Sequence, residues 1–477
     1  MHEFKVMVPG ADAIDTLEVV SPYDGAVVGT VERIDARGAE LALNIVDELF
    51  KDRSRWLTVH ERIEILEETV GLMQSQFGEL VQLALSEGGK PYIDSEIEVA
   101  RAIDGVKNCI ECARSEHGTE IPMGINPASM NRIAMTSKEP IGPVMAVSAF
   151  NHPLNLIVHQ VGPAVASGCP VIVKPASDTP LSCFKFISLL REAGLPEEYV
   201  QAVVGTDNDV VVNMVTDSRI AFFSFIGSGA VGWMLKSKLA AGTRCALEHG
   251  GAAPAIVAED ADLDAMLPLL AKGGFYHSGQ VCVSVQRIFA HHSVAEDIAT
   301  RLGKIARTLR IGDPADPKTE IGPIIRPEET FRIGEWVDEA VAAGAQLICG
   351  GEKISDAFYQ PTVLLNPPAE VTLCKHEIFG PVISVSAYED IAHAIAMANS
   401  VPYSFQASVM TQDIDKAMYA YRTLDASAVM VNDHTAFRVD WMPFAGLKES
   451  GYGVGGIPYT YEDMQIAKML VVKSKDL

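Results

Sequence analysis

Hydrophobic and polar positions follow two different spacings along this chain. Over residues 39–115, apolar positions recur at helical spacing between charged faces, which predicts two or three long helices such as His60–Gln76 and Ser95–Ala113. From about residue 120, short runs rich in β-branched and aromatic side chains alternate with helical stretches. In this part we predict the strands Val144–Phe150, Val171–Lys174, Val200–Val204 and Ile220–Phe225, separated by the helices Pro180–Ala193, Asp209–Thr216 and Val231–Ala241.

A second stretch of the same kind runs from near Ala253 to about residue 450. Alternation of strands and helices is typical of parallel α/β sheets with right-handed crossovers. We therefore predict two α/β domains with extra segments left over. The strands predicted here are Ala255–Val257, Arg287–Ala290, Val382–Ala387, Ser408–Met410 and Val429–Val431, with a final run at Lys468–Lys473.

The composition supports a large folded core and argues against a nucleic-acid partner. With 477 residues, 48% of them hydrophobic, the chain is long enough for two or more packed units. The net charge is −24, and no Lys/Arg run offers a basic face to phosphates. No secretory signal pattern and no apolar stretch of about 18 residues is visible, so we expect a cytoplasmic protein without a membrane partner.

The eight cysteines do not form a disulfide or zinc pattern. Cys109 and Cys112 make a C-x-x-C pair, but they fall in the helical run Ile103–Arg114 without a second pair or nearby histidines. We interpret them as ordinary helix cysteines. The sequence therefore predicts no metal site.

Two segments have features of a nucleotide site. In VIVKPASDTP (171–180), Lys174 ends a predicted strand, where ligands bind in open α/β sheets, and Thr179 or Ser182 could cap the next helix. FIGSGAVG (225–232) fits G-x-G-x-x-G ahead of a helix whose free N–H groups could meet a pyrophosphate. Taken singly, a solvated edge lysine and a chance glycine match remain open as explanations.

Two further segments supply candidate chemistry. Glu248 precedes a Gly-Gly turn in LEHGG (247–251), and its distance from the glycine motif nominates it as a ribose-binding acid. Cys282 lies in a small-residue turn in FYHSGQVCVSV (275–285), where a thiolate could attack an aldehyde. By itself, Cys282 is explained more simply as a buried, unreactive cysteine.

Taken together, these segments resemble the aldehyde dehydrogenase superfamily, and the resemblance extends from SPYDG (21–25) to the end of the sequence. It is nearest to the lactaldehyde-like and non-phosphorylating glyceraldehyde-3-phosphate-like branches. The motifs occur in family order at family-like spacing: EPIGPVMAVSAFNHPLNL (139–156), VIVKPASDTP, FIGSGAVG, LEHGG, GQVC (279–282), EIFGPV (377–382) and PFAGLKESGYG (443–453).

The resemblance implies an aldehyde dehydrogenase-like α/β fold in three parts. A dinucleotide-binding domain would comprise residues 1–117 and 141–250, and a catalytic domain bearing the thiol would comprise residues 251–450. Residues 118–140 and 451–477 would form a small β flap for oligomerisation. Because this flap joins protomers in the family, a homodimer or homotetramer is implied.

The resemblance also implies NAD(P)-dependent oxidation of an aldehyde to its acid through a thioester. Cys282 matches the nucleophile. Asn151, in AFNHP, matches the amide that receives the oxyanion together with the Cys282 backbone N–H. Glu248 matches the base that activates water for deacylation, a task suited by a carboxyl pKa raised beside the apolar turn. We prefer this role to the ribose contact that spacing suggested.

The cofactor contacts implied by the family lie in three of the motifs. They are Lys174 and Ser177 at the ribose, Glu377 as a second ribose ligand, Phe379 as a wall against the nicotinamide, and Gly227 with Ser228 at the pyrophosphate.

Two departures from the family pattern carry information. Members that prefer NAD tend to have a glutamate where Ser177 stands, so we hypothesise that NADP is accepted or even preferred over NAD, although Asp178 could supply the missing negative charge. Many members also carry Gly-Arg-Glu, with a proton-relay glutamate, in the segment where this chain has Val454 and Gly455. Without that relay, the catalytic glutamate must act as the base alone.

The resemblance nominates three cations as substrate contacts, namely Arg101, His159 and Arg438. Convergence on one site would favour a short aldehyde that carries an acid or hydroxyl group. Ordinary salt bridges and a satisfied helix histidine are the alternative. Since Val281 stands where an anion-fixing arginine precedes the nucleophile in related enzymes, a phosphorylated substrate is less favoured.

Three other functions stay open. A CoA-acylating dehydrogenase would not need the base Glu248, and a requirement for CoA would identify it. A structural relative, such as a lens crystallin, would have no reason to keep Cys282, Asn151 and Lys174 together. A plain thioesterase would not need the cofactor motifs.

Overall fold

The elements of the fold are defined over residues 2–477 in a computed structural model. The strands are β1 (His2–Phe4), β2 (Asp15–Val20), β3 (Val27–Arg33), β4 (Glu120–Ile121), β5 (Arg132–Pro140), β6 (Val144–Val147), β7 (Val171–Lys174), β8 (Val200–Ala202), β9 (Phe222–Ile226), β10 (Arg244–Glu248), β11 (Ala253–Val257), β12 (Val285–His291), β13 (Gln346–Cys349), β14 (Thr362–Leu365), β15 (Val382–Tyr388), β16 (Tyr403–Ser404), β17 (Gln406–Met410), β18 (Ala428–Val431), β19 (Leu447–Lys448), β20 (Gly451–Tyr452) and β21 (Gln465–Lys473).

The helices cover most of the intervening chain. They are α1 (Ala36–Lys51), α2 (Val59–Ser75), α3 (Phe77–Gly88), α4 (Tyr92–Ser115), α5 (Asn155–Ser167), α6 (Leu181–Glu192), α7 (Asn208–Thr216), α8 (Gly229–Lys236), α9 (Leu263–Phe275), α10 (Ala295–Thr308), α11 (Pro327–Ala342), α12 (Thr372–Lys375), α13 (Ile391–Ala398), α14 (Ile414–Thr423) and α15 (Ile457–Asp463).

A six-stranded sheet in the order β20-β10-β9-β6-β7-β8 forms the first layer, parallel except for β20. The pleat sends alternate side chains to opposite faces. Val144 and Ala146 join a core with α2 to α6, whereas Met145 and Val147 join a second core with α1 and α7. Burial on both faces explains why these strands are continuous apolar runs in the sequence.

A seven-stranded sheet in the order β13-β14-β15-β12-β11-β17-β18 forms the second layer, parallel except for β13. Here Ala255 and Val257 pack against α9 and α10, and Ile256 packs on the other face against α13 and α14. The predicted α/β class with two largely parallel sheets is confirmed. The sequence analysis did not predict β10 or the antiparallel β13.

A separate three-stranded sheet, β21-β5-β4, is built from two distant parts of the chain. Nine residue pairs join β21 to β5 in antiparallel register. Residues 451–463 lie elsewhere: β20 pairs with β10, and Ile457 and Tyr461 of α15 enter the core of the six-stranded sheet. The domain boundaries stay a prediction.

Two buried glutamates cap helices that have no capping side chain of their own. Glu87 of α3 accepts hydrogen bonds from the Leu181 N–H at 2.6 Å and the Ser182 N–H at 2.8 Å. The predicted capping of α6 by Thr179 or Ser182 is therefore wrong, because α6 has no side-chain cap from its own segment. Negative charge at a helix N-terminus satisfies free N–H groups and opposes the helix dipole.

The second of these caps is close to the candidate site. Glu98 of α4 accepts from the backbone N–H groups of Leu154 at 2.9 Å and Asn155 at 3.1 Å. It thereby fixes the start of α5 and the turn before it, which carries Asn151. Within residues 2–477, no helix combines the length and the apolar character needed to cross a membrane.

Candidate active site

A cavity of about 810 Å³ opens where the strand ends of the two sheets face each other. Loops that follow neighbouring parallel strands meet at one edge of a sheet, which is where ligands bind in such folds. The six-stranded side contributes the segments after β6, β7, β9 and β10. The lining includes residues 148–152, Ala176, 226–228, 248–250, 280–283, Glu377, Phe379, Arg438 and Phe444.

Cys282 follows a tight turn in which the backbone is left-handed at three successive residues. The φ angles are 48° at His277, 56° at Ser278 and 70° at Gly279. At Gly279 a Cβ would lie 2.0 Å from the Gly380 carbonyl oxygen, so only glycine fits there. This turn places the thiol at the cavity wall.

The side chain of Gln280 holds the nucleophile loop from within the core. Its Nε2 donates to the carbonyls of His277 at 3.3 Å and Pro323 at 3.2 Å, and its Oε1 accepts from the Ile325 N–H at 3.0 Å. The amide is fully satisfied in a buried place, which fixes the backbone two residues before Cys282. The sequence analysis did not single out Gln280.

The electrostatic surroundings of Cys282 favour the neutral thiol. Burial, assisted by the nearby carboxyls Glu377 and Glu248, raises the thiol pKa to about 12, while Arg438 opposes the rise. A thiol in this state is protected from adventitious chemistry in the free protein. Its activation requires removal of a proton.

Asn151 lies beside the nucleophile loop, as the resemblance predicts. Its side chain is 5% exposed, and its Nδ2 donates to the Gln280 carbonyl at 2.9 Å. One amide hydrogen therefore anchors the side chain to the backbone next to Cys282, and the other is available for a ligand.

Glu248 is the last residue of β10 and lies half-buried in the cavity wall. Burial raises the pKa of its carboxyl, and Arg438 is the charge that opposes the rise. The carboxylate occupies the space above Gly455, where a Cβ would lie 1.8 Å from Oε1. The departure noted at this position thus makes room for the side chain of Glu248.

The three candidate substrate cations meet, but two of them are held by a carboxylate that the sequence analysis missed. Asp440 accepts from Arg101 Nη2 at 2.7 Å and Nε at 3.2 Å, and from His159 Nε2 at 2.7 Å. Burial lowers the pKa of His159 to about 4, so the ring is neutral at pH 7. The sequence signal for Asp440 was only its place two residues after Arg438.

Arg438 differs from the other two because no carboxylate is hydrogen-bonded to it within residues 2–477. Its Nη2 donates to His159 Nδ1 at 3.3 Å, and its guanidinium lies 3.4 Å from the centre of the Phe444 ring. The buried Nε has no partner. Burial lowers the pKa of this guanidinium, and a cation in such a setting attracts anions strongly.

At the other end of the cavity, β9 leads through Gly227 and Ser228 into α8. The Gly227 N–H donates to the Glu248 carbonyl at 3.1 Å, which ties this turn to the strand that carries the candidate base. At Gly232 a Cβ would lie 2.0 Å from His249 Nε2. The third glycine of the motif therefore leaves room for the imidazole ring of His249. The N-terminus of α8 adjoins the cavity through Ser228, Ala230 and Val231.

Glu377 and Phe379 line the cavity between these two ends. Glu377 accepts from the Gly251 N–H at 3.2 Å, and burial raises its pKa to about 8. Phe379 has a positive φ of 47° and meets Phe150 edge-to-face with ring centres 5.8 Å apart. A left-handed aromatic residue is strained, and such strain clusters at ligand sites.

Lys174 and Ser177 lie at the rim rather than in the wall. Lys174 is the last residue of β7, and burial lowers the pKa of its ammonium. Ser177 is exposed, and between them Ala176 reaches the cavity wall. The structure thus brings the predicted residues other than Lys174 and Ser177 into the lining of one cavity, and those two lie on either side of the lining residue Ala176 in the chain.

This chain is similar to known proteins over most of its length. The family model described as the aldehyde dehydrogenase family matches residues 8–470. The 3-sulfolactaldehyde dehydrogenase of Priestia aryabhattai is 38% identical over 87% of this chain and 86% of its own length. The lactaldehyde dehydrogenase of Methanococcus vannielii is 32% identical over 96% of this chain and 97% of its own length.

Solved structures give the same result. Aldehyde dehydrogenase 21 from Physcomitrella patens, in complex with the reaction product succinate, superposes with a TM-score of 0.95 at 33% identity, covering 99% of this chain and 98% of that one. Glyceraldehyde-3-phosphate dehydrogenase from Methanocaldococcus jannaschii, complexed with NADP, gives 0.91 at 30% identity over 98% of this chain and 100% of that one. By sequence and by structure, this chain belongs to the aldehyde dehydrogenase family.

Proposed function

We propose that the protein oxidises a small hydroxy- or acid-bearing aldehyde to its carboxylic acid, with NAD(P) as hydride acceptor and water as acyl acceptor. The observation that carries this proposal is one cavity shared by Cys282, Asn151 and Glu248 with Gly227 and Ser228. A thiol, an amide donor and a carboxylate are the groups that thioester chemistry uses. The glycine turn adds a place for a dinucleotide.

The residues at the far end of the cavity fit a dinucleotide. Gly227 and Ser228 precede the N-terminus of α8, and Lys174 supplies a cation at the rim. Glu377 has space to face the cavity because residue 250 is glycine, where a Cβ would lie 1.8 Å from Oε1. When bound, NAD(P) supplies the hydride acceptor that oxidation of the aldehyde requires.

The side chains of this chain carry out the addition of the aldehyde. Cys282 Sγ forms a bond to the carbonyl carbon, and the thiol proton passes to solvent water. The carbonyl oxygen becomes an oxyanion, for which Asn151 Nδ2 and the Cys282 N–H are the donors. Arg438 favours the thiolate electrostatically.

Glu248 then acts as the base for hydrolysis. It takes a proton from water as the water oxygen bonds to the thioester carbon, and the C–S bond breaks to release the acid and the Cys282 thiolate. A carboxyl whose pKa is raised by burial is a stronger base at neutral pH. Val454 and Gly455 offer no ionisable group, so the base works without a relay at that place.

Arg438 is the residue we assign to the acid group of the substrate. Arg101 and His159 are held by Asp440, whereas Arg438 has free N–H capacity at the cavity wall. A relative that acts on 3-sulfolactaldehyde and a relative crystallised with succinate support an anionic, short-chain compound. The positions of Arg101 and His159 fit a supporting role, in which they fix Asp440 and Arg438.

We also propose that the chain assembles as a homodimer or homotetramer through the β21-β5-β4 sheet. Large apolar side chains on this sheet are exposed, among them Met469 at 57% and Leu470 at 55%. Exposed apolar patches on a sheet edge favour pairing with another chain. Sedimentation analysis of the purified protein tests this assembly.

An aldehyde panel with both cofactors tests the activity. It should include lactaldehyde, 3-sulfolactaldehyde, succinic semialdehyde, glyceraldehyde-3-phosphate, phosphonoacetaldehyde and simple aliphatic aldehydes. We expect the highest kcat/KM for a short hydroxy- or acid-bearing aldehyde. A preference for aliphatic aldehydes would contradict the substrate class, and a requirement for CoA would contradict water as acceptor.

The variant Arg438→Gln separates recognition of the anion from the chemistry. We expect its kcat/KM for succinic semialdehyde to fall about tenfold or more relative to butyraldehyde, because only the acid-bearing aldehyde loses a charge partner. Butyraldehyde controls for the effect of Arg438 on the thiol. An equal fall for both aldehydes would contradict the assignment.

A further inference from the structure

A salt bridge crosses the rim of the cavity at the cofactor end. Arg326, the residue before α11, donates through Nε to Asp178 Oδ1 at 3.0 Å and through Nη2 to Oδ2. Asp178 follows β7, so this bidentate pair joins residues 148 positions apart. The planar guanidinium fork matches a carboxylate in this geometry.

The pair lies among the residues expected at the ribose. Arg326 lines the same cavity as Ala176 and Gly227. The charges of Asp178 and Arg326 both reach the Lys174 ammonium, whose pKa is lowered by burial, raised by Asp178 and lowered by Arg326. Ser177 stands directly between Lys174 and Asp178 in the chain.

The salt bridge to Arg326 compensates the negative charge of Asp178, which would otherwise disfavour binding of NADP. An unpaired carboxylate beside Ser177 would repel a 2′-phosphate. Paired with Arg326, its charge is compensated at contact distance. Arg326 also keeps its Nη1 free of hydrogen bonds to residues 2–477, so two N–H groups stay available to an anion.

Of the two other acids near Arg326, Glu329 is already engaged. Glu329 accepts from Arg332 Nε at 2.7 Å within α11. Glu328 and Glu329 raise the pKa of Arg326 less than Asp178 does. The cations that stay available at this rim are therefore Arg326 and Lys174.

We propose that Arg326 determines the tolerance of this enzyme for the 2′-phosphate of NADP by neutralising Asp178 and by offering free N–H donors beside Lys174. The bridge is 47% exposed on its arginine side and 27% on its aspartate side, so an incoming phosphate can reach it. This inference rests on the proposed use of NAD(P) and adds the residue that sets the preference between the two cofactors.

Binding of cofactors to the full-length protein tests the proposal without turnover. Dissociation constants of NADP, NAD and adenosine 2′,5′-bisphosphate are measured by titration calorimetry for the wild type and Arg326→Ala. We expect the affinities for NADP and the bisphosphate to fall about tenfold or more. The reason is that Arg326→Ala leaves the carboxylate of Asp178 without its cation, so that it repels the 2′-phosphate. We expect the affinity for NAD to change less than about threefold, since NAD has no phosphate there.

A second variant distinguishes compensation of charge from a general loss of structure. In Arg326→Ala/Asp178→Asn the repelling carboxylate is absent, so much of the affinity for NADP should return. Arg301→Ala, which breaks bridges to Asp264 and Asp297 outside the cavity lining, is the matched control and should leave all three affinities unchanged.

The possible outcomes separate this inference from the proposed function. Failure of the wild type to bind either dinucleotide would refute the proposed function itself. Equal changes for NADP and NAD in Arg326→Ala, or no recovery in the double variant, would refute the role of Arg326 while leaving the dehydrogenase activity in place.

Discussion

Two groups of charged residues lie close together in this molecule and differ in how far they are paired. Lys90 and Glu98 are fully buried behind the candidate site and form an ion pair, and Glu98 also caps α5. In the cavity wall, Glu248, Glu377 and Arg438 are only half-buried, and they have few hydrogen bonds or none. The charges of the first group are paired with each other, whereas those of the second group have no ion-pair partner within residues 2–477.

The difference teaches how the fold separates stability from reactivity. A buried ion without a partner costs several kcal/mol, and a paired one costs much less. Pairing behind the site holds the turn that carries Asn151 in place. In the cavity, burial raises the pKa values of Glu248, Glu377 and Cys282, and groups with shifted pKa values are suited to exchange protons with a substrate.

The comparison is tested most strongly by Glu248→Gln. Because the amide cannot accept a proton, we expect the steady-state rate to fall by about 10²–10⁴. Addition and oxidation stay intact, so one equivalent of NAD(P)H per site should appear as a burst, with a thioester on Cys282 visible by mass spectrometry. The melting temperature should stay the same or rise, because an unpaired buried carboxyl is removed.

The exposed Glu449→Gln is the control for that variant and should leave both rate and melting temperature unchanged. A lower melting temperature in Glu248→Gln, or a loss of the burst together with the steady-state rate, would show that Glu248 is structural.

Lys90→Met tests the satisfied group. It leaves Glu98 buried without its cation, so the free energy of unfolding should fall by about 3–5 kcal/mol. Denaturant unfolding measures this loss, and Lys90→Met/Glu98→Gln should recover part of it. Lys107→Met, exposed on the same helix as Glu98, is the matched control. Equal stability of the two lysine variants would remove the contrast between the regions.

Asn151→Ala has an effect of intermediate size. Loss of one oxyanion donor should lower kcat by about 10²–10³. The rate at which iodoacetamide alkylates Cys282 should not change, because that reaction develops no oxyanion. A parallel fall in alkylation would mean that Asn151 acts by positioning the Gln280 backbone instead.

The smallest effect concerns the thiol and pH. Glu377 has a pKa of about 8, so it is largely neutral at pH 7 and charged at pH 9.5, where it disfavours the Cys282 thiolate. Glu377→Gln should therefore speed alkylation of Cys282 by a factor of about 2–5 at pH 9.5 and leave it unchanged at pH 7. An equal change at both pH values would exclude this charge as the cause.

The sequence was sufficient for the parallel sheets and for the gathering of the motifs. Strands such as Val171–Lys174 are uniformly apolar because both faces are buried, and motif order then places their ends at one edge. A weaker signal came from β10, which lies between β9 and the two-residue edge strand β20. β10, with Arg244 and Glu248 at its ends, has neither a continuous apolar run nor an alternation of period two.

The partners of the site residues could not be predicted because they are distant in the chain. Asp440 lies 339 residues from Arg101, and Arg326 lies 148 residues from Asp178. Capping rules consider only the flanking residues, so they could not find Glu87 as the cap of α6. Pairing of charges across such separations is a property of the folded structure alone.

The joining of β5 to β21 has a consequence for the order in which the protein is made. Residue 473 is synthesised long after residue 132, its partner in the sheet, and Ile457, Tyr461 and Met464 complete a core whose other members lie before residue 250. Domains generally fold one after another during translation. Here the core beside the six-stranded sheet stays incomplete until the residues of α15 have been synthesised. Nascent chains stopped at residue 450 should therefore expose its unfinished core and engage chaperones.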